Sequence, residues 1–91
     1  MNNLYHYFSS IQELFDSFLW GNEIVFRFEA TKYFILPKFE NGKVIGVSFG
    51  EAYTDKEVLC KSADELGEVH IQQYTFKEIL DRIDILEINY W

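Results

Sequence analysis

The chain has 91 residues, a formal net charge of −7 and an aromatic content of 19%. A chain of this length supports one hydrophobic core and is too short for two, so we expect a single domain over residues 1–91. The single cysteine excludes an internal disulfide, no apolar run approaches the roughly 20 residues that cross a bilayer, and no signal peptide is recognisable; together these features predict a cytoplasmic protein without a membrane partner.

Acidic side chains are concentrated in the second half of the chain. Residues 51–91 contain ten Asp and Glu against four Lys and Arg, whereas residues 1–50 contain five against four. A negative field repels phosphate backbones, which argues against nucleic acid as a partner. The same field speeds association with a basic protein, or alternatively serves only to keep an aromatic-rich domain soluble.

The first predicted element is a helix over residues 11–20. Ser10-x-x-Glu13 is a capping-box pattern, in which the serine hydroxyl and the glutamate carboxylate each accept a backbone N–H. The apolar side chains that recur at helical spacing after it are Ile11, Leu14, Phe15, Phe18 and Leu19. We expect this face of the helix to pack on a sheet.

Three runs of alternating side chains predict antiparallel strands over 23–29, 32–39 and 43–49, which form a β-meander core over 23–49. Asn41-Gly42 is a strong signal for a two-residue type I′ turn between the second and third strands. The weaker turn Ala30-Thr31 places Phe28 opposite Tyr33 and Phe26 opposite Ile35. We expect Phe15 and Phe18 of the first helix to pack on the face that holds Phe26, Phe28 and Ile35.

Both faces of this sheet are apolar in the register that Asn41-Gly42 sets. The second face carries the side chains of a candidate interface: Val25, Phe34, Leu36, Ile45 and Val47. Either both faces are covered, or a β-bulge reverses the alternation, for which Pro37 is a natural site because it donates no ladder hydrogen bond. If every helix packs on the other face, we expect the open face to pair with its own copy in a two-fold homodimer.

The second half of the chain alternates short elements. We expect a strand over 58–60, a brief helix between Ser62 and Gly67, an extended segment over 69–71, a helix over 76–83 and a last strand over 86–90. The fold class is therefore α+β, with an antiparallel sheet of three to five strands, an N-terminal amphipathic helix and a C-terminal helix.

The order of these elements resembles a group of short, functionally uncharacterised α+β proteins of low-GC Gram-positive bacteria and their mobile elements. The group shares an amphipathic helix, an acidic-apolar hairpin, a Ser-x-Asp-Glu-Leu turn and a closing Leu-x-Glu-Ile helix. The matching segments are Ile11 to Leu19, Glu23-Ile-Val-Phe26 with Tyr33-Phe-Ile35, Ser62-Ala-Asp-Glu-Leu66 and Phe76-Lys-Glu-Ile79. The resemblance implies a fold and a bacterial cytosolic setting, and it supplies no catalytic residue.

Cys60 and His70 are the residues that suggest catalysis, as the nucleophile and base of a small hydrolase. The alternative, which we favour, is a small buried thiol beside a solvated histidine. The Cys and His side chains have no spacing typical of zinc, and no phosphate-binding loop is present, so we expect neither a metal nor a cofactor.

These features together predict a non-enzymatic protein-interaction module whose partner is a second copy or another protein. An immunity or inhibitor protein that caps a basic active site is an alternative, by analogy with other small acidic proteins.

Overall fold

The computed structural model describes residues 2–90, with the side chains of residues 2–89. Over this range a five-stranded antiparallel sheet with strand order β4-β3-β2-β1-β7 lies beside a two-stranded hairpin, β5-β6. The helices are α1 (Ile11–Phe18) and α2 (Ala63–Gly67), and the strands are β1 (Asn22–Phe28), β2 (Thr31–Glu40), β3 (Lys43–Glu51), β4 (Glu57–Cys60), β5 (His70–Ile71), β6 (Tyr74–Thr75) and β7 (Asp84–Tyr90). The predicted α+β class is confirmed.

Helix α1 begins where the capping pattern predicts it. The Ser10 hydroxyl accepts the Glu13 N–H at 3.1 Å, which satisfies one of the backbone donors that a helix leaves unpaired at its start. The helix ends at Phe18, two residues before the predicted end, and Gly21 then turns the chain with a φ of +89°. Phe15 and Phe18 are buried, as expected.

The first hairpin differs from its predicted register by two residues. Its turn is Glu29-Ala30, with Glu29 at a φ of +55°, and Phe28 pairs with Thr31 while Phe26 pairs with Tyr33. The prediction placed the turn at Ala30-Thr31. An even shift preserves the face of each side chain, because the side-chain period of a strand is two. Phe26 and Phe28 therefore still lie on the core face.

A β-bulge in β3 determines which side chains of this strand point to the core. Asn41 and Gly42 form the predicted turn, with φ values of +53° and +78°, and Phe39 pairs with Val44. The next pair is Lys38 with Gly46, so Ile45 is an extra residue that reverses the alternation. Val47 therefore lies opposite Pro37 on the core face and is fully buried.

Two predictions about this region are corrected by that bulge. Val47 was predicted on the second sheet face, and it belongs to the core instead. The bulge itself lies in β3 and not at Pro37. The last residue pair between β1 and β2 is Ile24 with Ile35, so Pro37 lies beyond the end of that pairing. At Pro37 the register pairs β2 with β3 alone, so the missing N–H is tolerated there.

The predicted C-terminal helix over 76–83 is wrong. The chain forms only a 3₁₀ turn, Phe76–Glu78, although the Glu78 carboxylate accepts the Thr75 N–H at 2.9 Å as a capping residue does. Tertiary contacts override the helical spacing, because β7 begins to pair with β1 at Asp84 and the Leu80 carbonyl accepts the Leu4 N–H at 3.1 Å. The second α-helix is α2, in the middle of the chain, capped by Ser62 as predicted.

All of the helical segments contribute to one core on one face of the sheet. The Phe76 ring stacks on Phe26 at a centroid distance of 5.5 Å and meets Phe49 edge-on at 5.3 Å. The same cluster takes in buried side chains from α1, α2 and the 3₁₀ turn Leu4–His6. Burial of these apolar groups on one side leaves the opposite face of the sheet without a helical layer.

Candidate functional site

The opposite face of the sheet holds a groove of about 570 Å³. Among the described residues, its lining comes from strands β1, β2 and β7 and from the loop after β3. We define the open face by its apolar side chains, which are Val25, Phe34, Leu36 and Leu86. The charged side chains at its rim are Glu23, Lys32 and Glu87. The groove is thus an apolar strip with charges of both signs around it.

Close packing against a glycine forms the floor of the open face. Val25, Phe34 and Gly50 lie side by side across β1, β2 and β3. A Cβ atom built on Gly50 would overlap Phe34 Cζ and would lie 2.9 Å from the Lys56 carbonyl oxygen. The edge of the Phe34 ring therefore occupies the space over the Gly50 backbone where a side chain would lie, and Phe34 is half-buried.

Tyr53 forms a wall of the groove and is 95% exposed. Its loop is held against the sheet because Ala52 donates its N–H to the Lys32 carbonyl at 2.9 Å, and Tyr53 itself has a φ of +65°. The backbone hydrogen bond thus positions Tyr53 at the rim of the groove, and exposed tyrosines are common among interface anchors.

Leu86 lines the groove, although the sequence did not predict it on the same face as Val25, Phe34 and Leu36. A register shift between β1 and β7 pairs Val25 with Glu87 and Phe26 with Ile85, which leaves Leu86 as the extra residue. A bulge of this kind depends on pairing between the two ends of the chain, and local sequence carries no signal for it.

Polar contacts close the groove at the end near β4. Ser48 is fully buried and its hydroxyl donates to the Glu57 carboxylate, which also lies 3.5 Å from Lys38 Nζ. The serine hydrogen bond lowers the pKa of Glu57 against the opposing effect of burial, and the charge of Lys38 and its hydrogen bond add to the lowering. Ser48 and Glu57 therefore interrupt the apolar surface between Leu36 on β2 and Leu59 on β4, which lies opposite Ser48 on the same face and is 41% exposed.

The structure separates the five predicted interface residues into three groups. Val25, Phe34 and Leu36 lie together on the open face. Ile45 is the half-buried residue of the bulge and does not line the groove. Val47 is in the core.

Cys60 and His70 line a second groove of about 590 Å³, between β4 and α2. No hydrogen bond joins their side chains within residues 2–90, and His70 is exposed. Burial, together with the negative charge of Glu65, raises the pKa of the Cys60 thiol to about 11, so the thiol stays protonated at neutral pH. A catalytic cysteine requires the opposite shift, so this arrangement does not activate Cys60 as a nucleophile.

Across residues 2–90 no group of three or more His, Cys, Asp and Glu side chains is placed to hold a metal ion. Over the same range no helix is long and apolar enough to span a membrane.

Comparison of the chain with protein-family models, with curated proteins and with solved structures finds no match. The resemblance to the Gram-positive group therefore stays a prediction.

Proposed function

We propose that this protein is a non-enzymatic protein-interaction module that associates through its open face, first of all with a second copy of itself. The observation that carries the proposal is the one-sided core. The helical segments all pack on one face of the sheet, while Val25, Phe34, Leu36 and Leu86 form an apolar strip on the other. Contiguous apolar surface of this kind is typical of association sites.

The dimensions and charges of the open face suit a two-fold pair. The molecule measures 36 × 27 × 22 Å, so one broad face is comparable to the roughly 800 Å² that each partner buries in a standard interface. Glu23 and Glu87 lie on β1 and β7, whereas Lys32 lies on β2. A two-fold axis through the groove allows the acidic edge of one copy to lie opposite the basic edge of the other.

Sedimentation velocity at micromolar concentration tests this proposal. We expect the wild-type protein to sediment as a dimer and Leu36→Lys to sediment as a monomer, because the new ammonium group would be buried without a partner at the centre of the interface.

The matched control is Leu19→Lys, which makes the same change at an exposed leucine just after α1, away from the open face. It should leave the dimer intact. Far-UV circular dichroism of both variants separates loss of association from loss of folding. A wild-type protein that stays monomeric at high micromolar concentration would rule out self-association.

An immunity or inhibitor protein is the second candidate function. It is supported by the net charge of −7 and by the carboxylates of Asp64, Glu65 and Glu68 along the second groove, because acidic surfaces speed the capture of basic partners. Its test is protection: co-expression with the product of a neighbouring gene should rescue cells which that product alone would kill. Equal killing with and without this chain would count against it.

A further inference from the structure

The edge of the main sheet at β4 has outward backbone groups that no other described strand pairs with. Within residues 2–90, β4 pairs with β3 on one side only. The Glu51 N–H donates to the Lys56 carbonyl at 3.2 Å, which makes that pair hydrogen-bonded. Hydrogen-bonded and non-hydrogen-bonded residue pairs alternate along an antiparallel ladder. Val58 and Cys60 therefore also direct their backbone N–H and C=O groups towards β3, while Glu57 and Leu59 direct theirs outward. The 3.2 Å bond from the Lys61 N–H to Glu65 Oε1 agrees with this alternation.

An apolar groove runs beside this edge. It is the groove of about 590 Å³ between β4 and α2, and its apolar lining includes Val58, Leu59 and Val69. Val58 is 50% exposed and Leu59 is 41% exposed, which is high for apolar side chains of a sheet. An exposed edge strand beside an apolar groove is the arrangement to which extended peptides add as a further strand.

Negative charge identifies the occupant. Asp64, Glu65 and Glu68 line the groove, and of these only Glu68 has an ion-pair partner among the described residues, Lys77. Asp64 and Glu65 have no ion-pair partner among the described residues, although the charge of Asp64 also acts on Lys77 and the Glu65 carboxylate accepts the Lys61 N–H. The side of the groove next to the backbone edge therefore carries a net negative charge. Pairing of two β4 edges from two copies of this chain would bring like charges together, which costs free energy. A basic partner gains from the same charges.

We propose that the β4 edge binds an extended segment of a partner protein in which basic and apolar side chains alternate. The backbone of the segment hydrogen-bonds to the outward groups of Glu57 and Leu59. Its apolar side chains enter the groove beside Val58 and Val69. The Lys or Arg side chains that alternate with them leave from the other face of the added strand, and their long aliphatic stems let the charged ends bend around the edge towards Asp64 and Glu65. This surface is distinct from the open face, so it provides the protein with a second binding site.

A synthetic peptide that alternates valine and lysine is the probe, and a peptide that alternates valine and glutamate is its control. Amide chemical shifts of the full-length protein are followed during titration to millimolar peptide. We expect the lysine peptide to shift amides between Val58 and His70 and to slow hydrogen exchange at Leu59. The glutamate peptide should leave both unchanged. Equal binding of the two peptides, or no shift in this region at millimolar peptide, would overturn the proposal.

Two variants locate the binding site. Asp64→Lys should weaken binding of the lysine peptide about tenfold, whereas Asp81→Lys, the same exchange at an exposed site outside the groove, should change it little. Leu36→Lys should abolish self-association and leave peptide binding intact, so failure of one proposal is distinguishable from failure of the other. Equal affinity for Asp64→Lys and the wild-type protein would contradict the assigned site. Protection of the Leu59 amide by self-association without peptide would assign the edge to a second copy and would also contradict it.

Discussion

The Phe34 ring lies directly over the backbone of Gly50, its neighbour across β2 and β3. A Cβ atom at position 50 would overlap Phe34 Cζ, approach Phe34 Cε1 to 2.8 Å and lie 2.9 Å from the Lys56 carbonyl oxygen. The glycine is thus required by close packing, because any side chain there displaces the ring that forms the floor of the open face.

We expect Gly50→Ala to destabilise the protein by about 1–3 kcal/mol through overpacking. Urea denaturation measures the free energy of unfolding of each variant. In a Phe34→Ala background the same substitution should cost less, because the ring is gone and only the contact with the Lys56 carbonyl remains. A double-mutant cycle that gives additive effects would show that Phe34 and Gly50 are not coupled.

Gly67→Ala is the comparison substitution for that experiment. An added Cβ at this last residue of α2 would lie 3.2 Å from Ile11 Cδ1 and 3.3 Å from Lys77 Cβ, which are longer contacts than those at Gly50 and involve no backbone atom. Its cost should be clearly smaller than that of Gly50→Ala. Equal costs at both glycines would indicate a general loss of backbone freedom and not a specific contact.

The elements that the sequence predicts correctly are those whose signals are local. Ser10 and Ser62 cap their helices because the capping hydrogen bond spans three residues, and Asn41-Gly42 turns because both residues tolerate a positive φ. The helix predicted after Thr75 fails for the converse reason. Its apolar residues Ile79 and Ile83 are buried as expected, but pairing of β7 with β1 decides the backbone.

The candidate site is predictable only in part, because its composition depends on two bulges. Val25, Phe34 and Leu36 follow from simple alternation in β1 and β2. Val47 and Leu86 do not, since each follows a shift in register that appears only when two strands pair. Each bulge reverses which side chains reach the open face, which removes Val47 from the predicted face and adds Leu86.

Phe15→Ala should destabilise the protein by about 3–5 kcal/mol, because Phe15 is buried where α1 joins the core. Such a loss is a large share of the stability of a small domain. Thermal unfolding followed by circular dichroism measures it. Trp20→Ala serves as the control. Because Trp20 is 86% exposed, this substitution should change the free energy of unfolding by no more than about 0.5 kcal/mol. An unchanged melting temperature for Phe15→Ala would show that α1 does not cover the sheet.

Cys60 should make stability depend on alkaline pH. Burial and the charge of Glu65 raise the thiol pKa from about 9 to about 11, so the folded state holds its proton more tightly than the unfolded chain. The resulting contribution to the free energy of unfolding is fully present below pH 9 and is lost as the pH rises through about 11. The loss is at most about 2–3 kcal/mol.

Cys60→Ala isolates this effect, because it keeps a small apolar group and removes the ionisable one. The difference in unfolding free energy between wild type and variant should be constant below pH 9 and should then shift in favour of the variant. Native Cys60 should also react slowly with iodoacetamide at pH 8. Parallel pH curves for the two proteins, or fast alkylation, would contradict the assigned burial of the thiol.

Deletion of Ile45 tests the bulge in β3 directly. The pairs on either side of Ile45 are Phe39 with Val44 and Lys38 with Gly46, so its removal leaves a regular ladder with both pairs in place. We therefore expect the shortened chain to keep Val47 in the core and to fold with a modest loss of stability. Deletion of Ser48, where no bulge absorbs the change, should instead move every later side chain of β3 to the other face and abolish folding. Circular dichroism and urea unfolding of the two deletion variants distinguish these outcomes. If both deletions unfold the chain equally, then Ile45 is not the extra residue of the strand, and the assignment of Val47 to the core would need another cause.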